Sequence, residues 1–313
     1  MDLIPCPDGY LLDPKSELAG GHHALNDYLV REEEAGWQTA IKEVNGIRDK
    51  ARKLLIWKAL VERMIWLRDD SSKSRHLSSL RGLAERIEKW TLAPTEADLI
   101  AILDRSAEAG NYLAPSTPIP HLFAYIDAKG VTAELAAAIR TFRERMYDDG
   151  LAVNQVSLQL FRSRLDMLAW RDEWTPVDLN RCWSERIRAD YRAMQGAERE
   201  AWRSLLYCIH GDEGTRPSGK WLTSTQAAIA RIGPDAFRAH AGRWLSPLQD
   251  AGPHRLSREG SHILRAFIWL AESSQAPELL SKLPAIAEVQ FKPKPNGQKV
   301  IKAVQDVLAV SVF

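Results

Sequence analysis

The sequence predicts an all-α protein built of antiparallel helix pairs, as a HEAT-like or irregular α-solenoid. Three observations carry that prediction. Apolar residues recur at spacings of three and four almost throughout, the period of a helix with one buried face, while the strict alternation of a half-buried strand is nearly absent. Glycine and proline fall between the apolar stripes, where helices stop and start. Trp202 and Trp244 lie 42 residues apart, each on the first or second helix of a hairpin, within the roughly 40–47-residue period of HEAT-type repeats.

The stripes divide the chain into three regions. Residues 1–45 are expected to form an irregular polar segment, with turns at Asp8-Gly9 and Gly20-Gly21. Residues 46–112 are expected to form a helical subdomain. Its first helix begins near Arg48 and is apolar around much of its circumference, with Leu54, Trp57, Val61 and Met64 on one stripe, as expected of a central helix. A second helix carries Leu77, Leu80, Leu83, Ile87 and Trp90. Thr95 with Asp98 has the spacing of a capping box, with Asp in the usual Glu place. Residues 111–120 contain Pro115, Pro118 and Pro120, which bar a helix interior, and are expected to be a linker.

Residues 121–313 are expected to be a helical-repeat region. Leu135, Ile139 and Phe142 mark one helix, and Phe161, Leu165 and Leu168 the next. Thr175-Pro176-Val177-Asp178 is a helix-start pattern, with a capping hydroxyl and a proline at the first helical position. Trp202, Leu205, Leu206 and Ile209 form a stripe ended by Gly211. Trp221, Thr225, Ala228 and Ile229 form another, ended by Gly233, and Pro234 opens a helix with Phe237, Ala241 and Trp244. Gly252-Pro253 is a break, and Ser257 can cap the helix of Ile263, Leu264 and Phe267. Pro277 is expected to open one helix running through Leu279, Leu283 and Ile286, and Asn296-Gly297 to turn into the last.

Composition limits the function classes. Hydrophobic residues at 45% exclude a disordered chain. Lys and Arg number 42 against 41 Asp and Glu, so no global field draws in nucleic acid or a lipid surface. Cys6, Cys182 and Cys208 form no close pair, which suits a reducing compartment. No basic, apolar leader is recognisable, and no apolar run approaches the roughly 18 residues of a membrane span. A cytoplasmic protein without membrane contact is therefore expected. The 11 tryptophans fall mostly on apolar helix faces and are expected in the core.

No catalytic residue, metal ligand or cofactor is expected. Gly214-Thr215-Arg216-Pro217-Ser218-Gly219-Lys220 has the spacing of a phosphate-binding loop. Trp221 stands where the Mg²⁺-binding hydroxyl belongs, and the preceding residues have helical rather than strand periodicity, so an interhelix loop is expected. His210, Asp212 and Glu213 make an incomplete metal set, and His22-His23 reads as a solvated polar turn. Two basic clusters remain. Arg48, Arg52 and Lys53 lie along one helix, and Lys292, Lys294 and Lys299 surround the start of the last. With Arg216 and Lys220, these are the candidate contacts to phosphates or an acidic partner.

The stretch from Trp202 to about Leu308 resembles a known family. Its elements are Trp202 with Leu205-Leu206, Pro217-Ser218-Gly219-Lys220-Trp221-Leu222, Ile232-Gly233 with Phe237, Trp244-Leu245, Leu264-Arg265-Ala266-Phe267-Ile268-Trp269, and Lys299-Val300 with Leu308. Together they resemble the helical-repeat portion of the large bacterial proteins of the DUF4132 group, which includes the molybdate metabolism regulator. That resemblance implies a protein partner, a MoxR-type AAA ATPase or a von Willebrand factor A-domain protein, and no settled chemistry. The function expected is a non-enzymatic scaffold or protein-interaction module in an ATPase-associated regulatory or stress and defence system. The alternative is a helical nucleic-acid-binding protein that uses its local basic patches.

Overall fold

The structure, a computed structural model, describes residues 3–67, 74–87, 89–109, 118–148, 156–176, 183–211, 216–249, 254–274 and 276–311. The fold is all-α, with neighbouring helices packed against one another and strands of only two residues. It divides into two compact units, Met1–Leu158 and Gln159–Phe313. Of the expected linker, 111–117 lie outside the described residues. Pro118 and Pro120 flank the first residue of a helix, where a missing N–H costs nothing.

The first unit opens with an antiparallel pair, β1 (Ile4–Pro5) and β2 (Leu11–Leu12), which turns at Gly9 with φ 83°. After a turn over residues 13–18, most of the rest of the first 45 residues is helical rather than irregular, as α1 (Ala19–Ala35) and α2 (Trp37–Asn45). A narrow, partly polar buried face conceals α1 in the sequence, for it buries Gly21 and His22 beside Leu25, Tyr28 and Leu29. Gly21 is no turn but a point of close approach. A Cβ there would stand 2.3 Å from the Leu55 carbonyl oxygen and 2.9 Å from the Ala59 Cβ.

Leu55 and Ala59 belong to α3 (Lys50–Leu67), which buries Trp57, Leu60 and Met64 and packs on α1, as its wide apolar surface predicts. α4 (Ser74–Ile87) and α5 (Glu96–Ala109) also pack on α3. The capping box forms. The Asp98 N–H donates to the Thr95 hydroxyl at 3.2 Å, and the Thr95 N–H donates back to the Asp98 carboxylate at 2.9 Å. α6 (Ile119–Lys129) and α7 (Ala133–Asp148) complete the unit, α7 lying on α5.

α8 (Val156–Ala169) leads into the second unit. There follow α9 (Trp183–Ala193), α10 (Gly196–Ile209), α11 (Gly219–Ile232) and α12 (Pro234–Leu245), which runs into a 3₁₀ turn, Ser246–Gln249. Gly233, at φ 91°, ends α11, and Pro234 starts α12 at once. The helix-start pattern at 175–178 and the Gly252-Pro253 break fall largely outside the described residues. α13 (Arg258–Ser273) is capped as expected, the Gly260 N–H donating to Ser257 Oγ at 2.8 Å.

Two expectations fail near the end of the chain. Pro277 does not open one long helix but α14 (Pro277–Leu280), after which the chain turns into α15 (Leu283–Ala287). Pro284 lies in the first turn of α15, where its missing N–H ends one helix and is harmless to the next. Asn296-Gly297 lies inside α16 (Lys294–Ser311) rather than in a turn before it. Gly297 is needed there because a Cβ would meet the Phe291 Cβ at 2.3 Å. Phe291 lies in β4 (Phe291–Lys292), which pairs in parallel with β3 (His254–Arg255).

The core of this unit is aromatic. Trp202, Phe237 and Trp244 are wholly buried and Phe267 nearly so, with the Trp202 and Trp244 ring centroids 4.7 Å apart. The four tryptophans at 202, 221, 244 and 269 are all buried, as their stripes predict. α13 packs on α16, α10 on α11, and α12 on both α9 and α14.

Candidate binding groove

A depression of about 800 Å³ in the second unit opens between the start of α11, α13, α14 and the second half of α16. Local sequence positions each wall. Ser218 caps α11 by accepting from the Trp221 N–H at 3.2 Å. That starts the helix so that Trp221 turns inward and Leu222 faces the groove, with Pro217 ahead of them. Trp269 and Glu272 line it from α13, Pro277 and Leu280 from α14, and Asp306 and Val310, one turn apart, from α16. A separate cavity of about 20 Å³ shares Pro217 and Trp269 with the groove and has room for a single water molecule.

The charges of the groove are unequal. Arg216 Nε lies 3.7 Å from Asp306 Oδ2, and Lys302 Nζ lies 3.5 Å from Asp306 Oδ1. Glu272 forms no ion pair with any described residue. Burial lifts its carboxyl above the ordinary value, and the Arg216 guanidinium offsets this only in part. The lining thus holds two carboxylates against one guanidinium, among apolar walls.

Of the basic residues named from sequence, Arg216 alone lines this groove. Lys220 is exposed in the first turn of α11, and Lys292, Lys294 and Lys299 are exposed around β4 and the start of α16. Arg48, Arg52 and Lys53 belong to the other unit. Arg48 and Arg52 are exposed, while Lys53 Nζ sits 5.1 Å from the Trp90 ring centroid. Lys58, on the same helix, is held by Asp98. In the phosphate-loop-like stretch, Gly214 and Thr215 lie outside the described residues, and the element before it is the helix α10 where a phosphate cradle has a strand. His210 is buried at the end of α10, while Asp212, Glu213 and Cys182 lie outside the described residues. Among the described residues no three His, Cys, Asp or Glu side chains are placed to hold a metal.

A second polar assembly, in the first unit, escaped the sequence reading. Arg63 and Asp8 are wholly buried and ion-paired. Arg63 also donates to Asn26 Oδ1 at 2.9 Å and lies 4.5 Å from the Tyr10 ring centroid. Asn26 donates to Cys6 Sγ at 3.2 Å. His22, expected in a solvated turn, is buried, stacked on Tyr10, with Nε2 3.2 Å from Glu62 Oε2. The hydrogen bond from His22 holds the Glu62 carboxyl below its ordinary value against desolvation, and burial with the Glu62 charge pushes Tyr10 up to about 12. The contacts among these groups pin the β1–β2 pair to α1 and α3, although Asp8 Oδ2, His22 Nδ1 and Arg63 Nε are buried without a hydrogen-bond partner among the described residues. Two signals could have revealed them: His22 and Asn26 share a helix face at i and i+4, and Glu62-Arg63 interrupts an apolar helix.

No helix among the described residues is long and apolar enough to cross a membrane. Compared with family models, curated proteins and solved structures, the chain shows no significant match.

Proposed function

We propose that this protein is a non-enzymatic helical interaction module, and that the groove of its second unit receives a segment of a protein partner. The observation that carries this is the groove itself: an open channel with Trp269, Leu222, Leu280 and Val310 on its walls, Val310 being 63% exposed. Apolar side chains bordered by a few charges are the usual anatomy of a surface that buries a partner. The DUF4132-like stretch lies in this same unit, and the partner that resemblance implies is an AAA ATPase or a von Willebrand factor A-domain protein.

The test is reconstitution. A partner identified by affinity capture from the native host is purified and titrated against the wild type, Leu280→Glu and Lys220→Ala. Binding that is lost in Leu280→Glu and kept in Lys220→Ala supports the groove. Equal binding by all three removes it. Nucleic-acid binding is the competing reading, and the ion pair of Lys58 and the cation–π contact of Lys53 weaken it. Salt-dependent binding of duplex or single-stranded DNA, weakened in Arg48→Ala/Arg52→Ala, would favour it.

A further inference from the structure

We infer that the segment seated in the groove presents a lysine or arginine flanked by apolar side chains, with its cation on Glu272. This deepens the interaction reading above and rests on it. Asp306 already has Arg216 and Lys302 beside it, at 3.7 and 3.5 Å. Glu272 has no such partner among the described residues and shares its surroundings with Trp269, Pro277 and Leu280. A carboxylate drawn partly out of water, offset only in part by a guanidinium that forms no ion pair with it, is unfavourable. A docked ammonium or guanidinium removes that penalty and makes a charge-assisted hydrogen bond.

An anionic occupant has the opposite balance. A phosphopeptide or a nucleic-acid backbone would meet two carboxylates, and the nearby cations, Arg216 and Lys302, are already engaged by Asp306. The apolar walls specify the rest of the segment. Val310 is exposed, and Leu222 and Leu280, partly buried against the core, keep a face in water unless residues beside the cation cover it.

The probe is a phage-displayed library of random linear peptides, selected on the full chain. The consensus peptide is synthesised and titrated by fluorescence polarisation. The expected consensus sets a Lys or Arg beside Leu, Ile, Met or an aromatic residue. Its affinity should fall roughly tenfold or more for Glu272→Gln, and equally when its basic residue becomes glutamine. Lys220→Ala should bind as the wild type does. Thermal melts of each variant establish that it is folded.

Each other outcome overturns the inference in its own way. Peptides without a basic residue that bind Glu272→Gln fully but fail on Leu280→Glu would refute the cation and leave the groove standing. Absence of enrichment, or binding indifferent to both variants, would refute the groove as well. Self-association in sedimentation that Leu280→Glu abolishes would make a second copy of the chain the occupant.

Discussion

The Trp244 indole N–H donates to the Asp190 carboxylate at 2.8 Å across 54 residues of sequence, joining α12 to α9. The same carboxylate lies 3.5 Å from His240 Nδ1 and 3.4 Å from Arg243. One acid on α9 thus accepts from Trp244 and Arg243 of α12, and Arg243 in turn donates to His240 Nδ1 at 2.8 Å. Trp244→Phe keeps most of the buried ring and removes one donor, which should cost about 1.5–3 kcal/mol, the range for a hydrogen bond to a charged group. Trp244→Ala should cost about 3–5 kcal/mol because it also empties a core position. Urea unfolding of the two variants, each with and without Asp190→Ala, separates the hydrogen bond from the packing.

Stability should fall on mild acidification. His210 is buried, and burial first, then the neighbouring His262 and Arg164 charges, holds its pKa well below the ordinary 6.5. Burial also lowers His121 against the raising effect of its bond to the Ile87 carbonyl. Below about pH 6.5 the unfolded chain binds protons that these folded sites refuse. Their contribution is therefore complete above the ordinary value and is lost as pH falls below it. For His210 the loss is about 1.4 kcal/mol per pH unit until its own folded pKa is reached. Denaturant unfolding between pH 7.5 and 5.5 should show the decline, and His210→Gln should flatten it.

Arg63 is the residue whose loss the first unit should tolerate least. Arg63→Ala strands Asp8 as a buried, unpaired charge and should cost about 3–5 kcal/mol in chemical denaturation. Arg63→Lys should recover only part of this, since one ammonium cannot reproduce the guanidinium fork shared by Asp8 and Asn26.

Two glycines in helices should respond with opposite signs to the same substitution. Gly219→Ala meets nothing within 4 Å and should be neutral or stabilising by a few tenths to about 1 kcal/mol. Gly297→Ala drives a methyl into Phe291 and should cost about 1–3 kcal/mol. Thermal melts of the two single variants decide it.

Periodicity made the fold class legible, and with it the helix limits set by Thr95, Gly233, Pro234 and Ser257, because these depend on residues within one turn. It failed where a distant partner decided the outcome. Gly20-Gly21 and Asn296-Gly297 carry turn chemistry, yet Leu55 needs Gly21, and Phe291 needs Gly297, inside a helix. α1 went unseen because its narrow buried face includes Gly21 and the polar His22, which is held by Glu62 40 positions away. The groove was legible only at Arg216. Glu272, Trp269 and Val310 become a site when α13 and α16 are laid side by side, and no local pattern encodes that pairing. Positive charge was the only cue the sequence offered to a binding surface, whereas the groove is distinguished by an acid, Glu272, that forms no ion pair among the described residues.

The close approach of Gly21 to Leu55 has a consequence for how this sequence can drift. Where a helix has no room for a methyl group, its height and rotation against its neighbour are set. Here that setting brings His22 to Glu62 and Asn26 to Arg63. A residue inserted in α1 between Gly21 and Asn26 would turn everything beyond it by about 100° and carry Asn26 away from Arg63. A side chain at Gly21 would lift α1 off α3 and loosen both polar contacts at once. Gly21, His22, Asn26, Glu62 and Arg63 are thus inherited as a single character: among descendants of this chain they should persist together or be replaced together, while the exposed residues between them vary one by one.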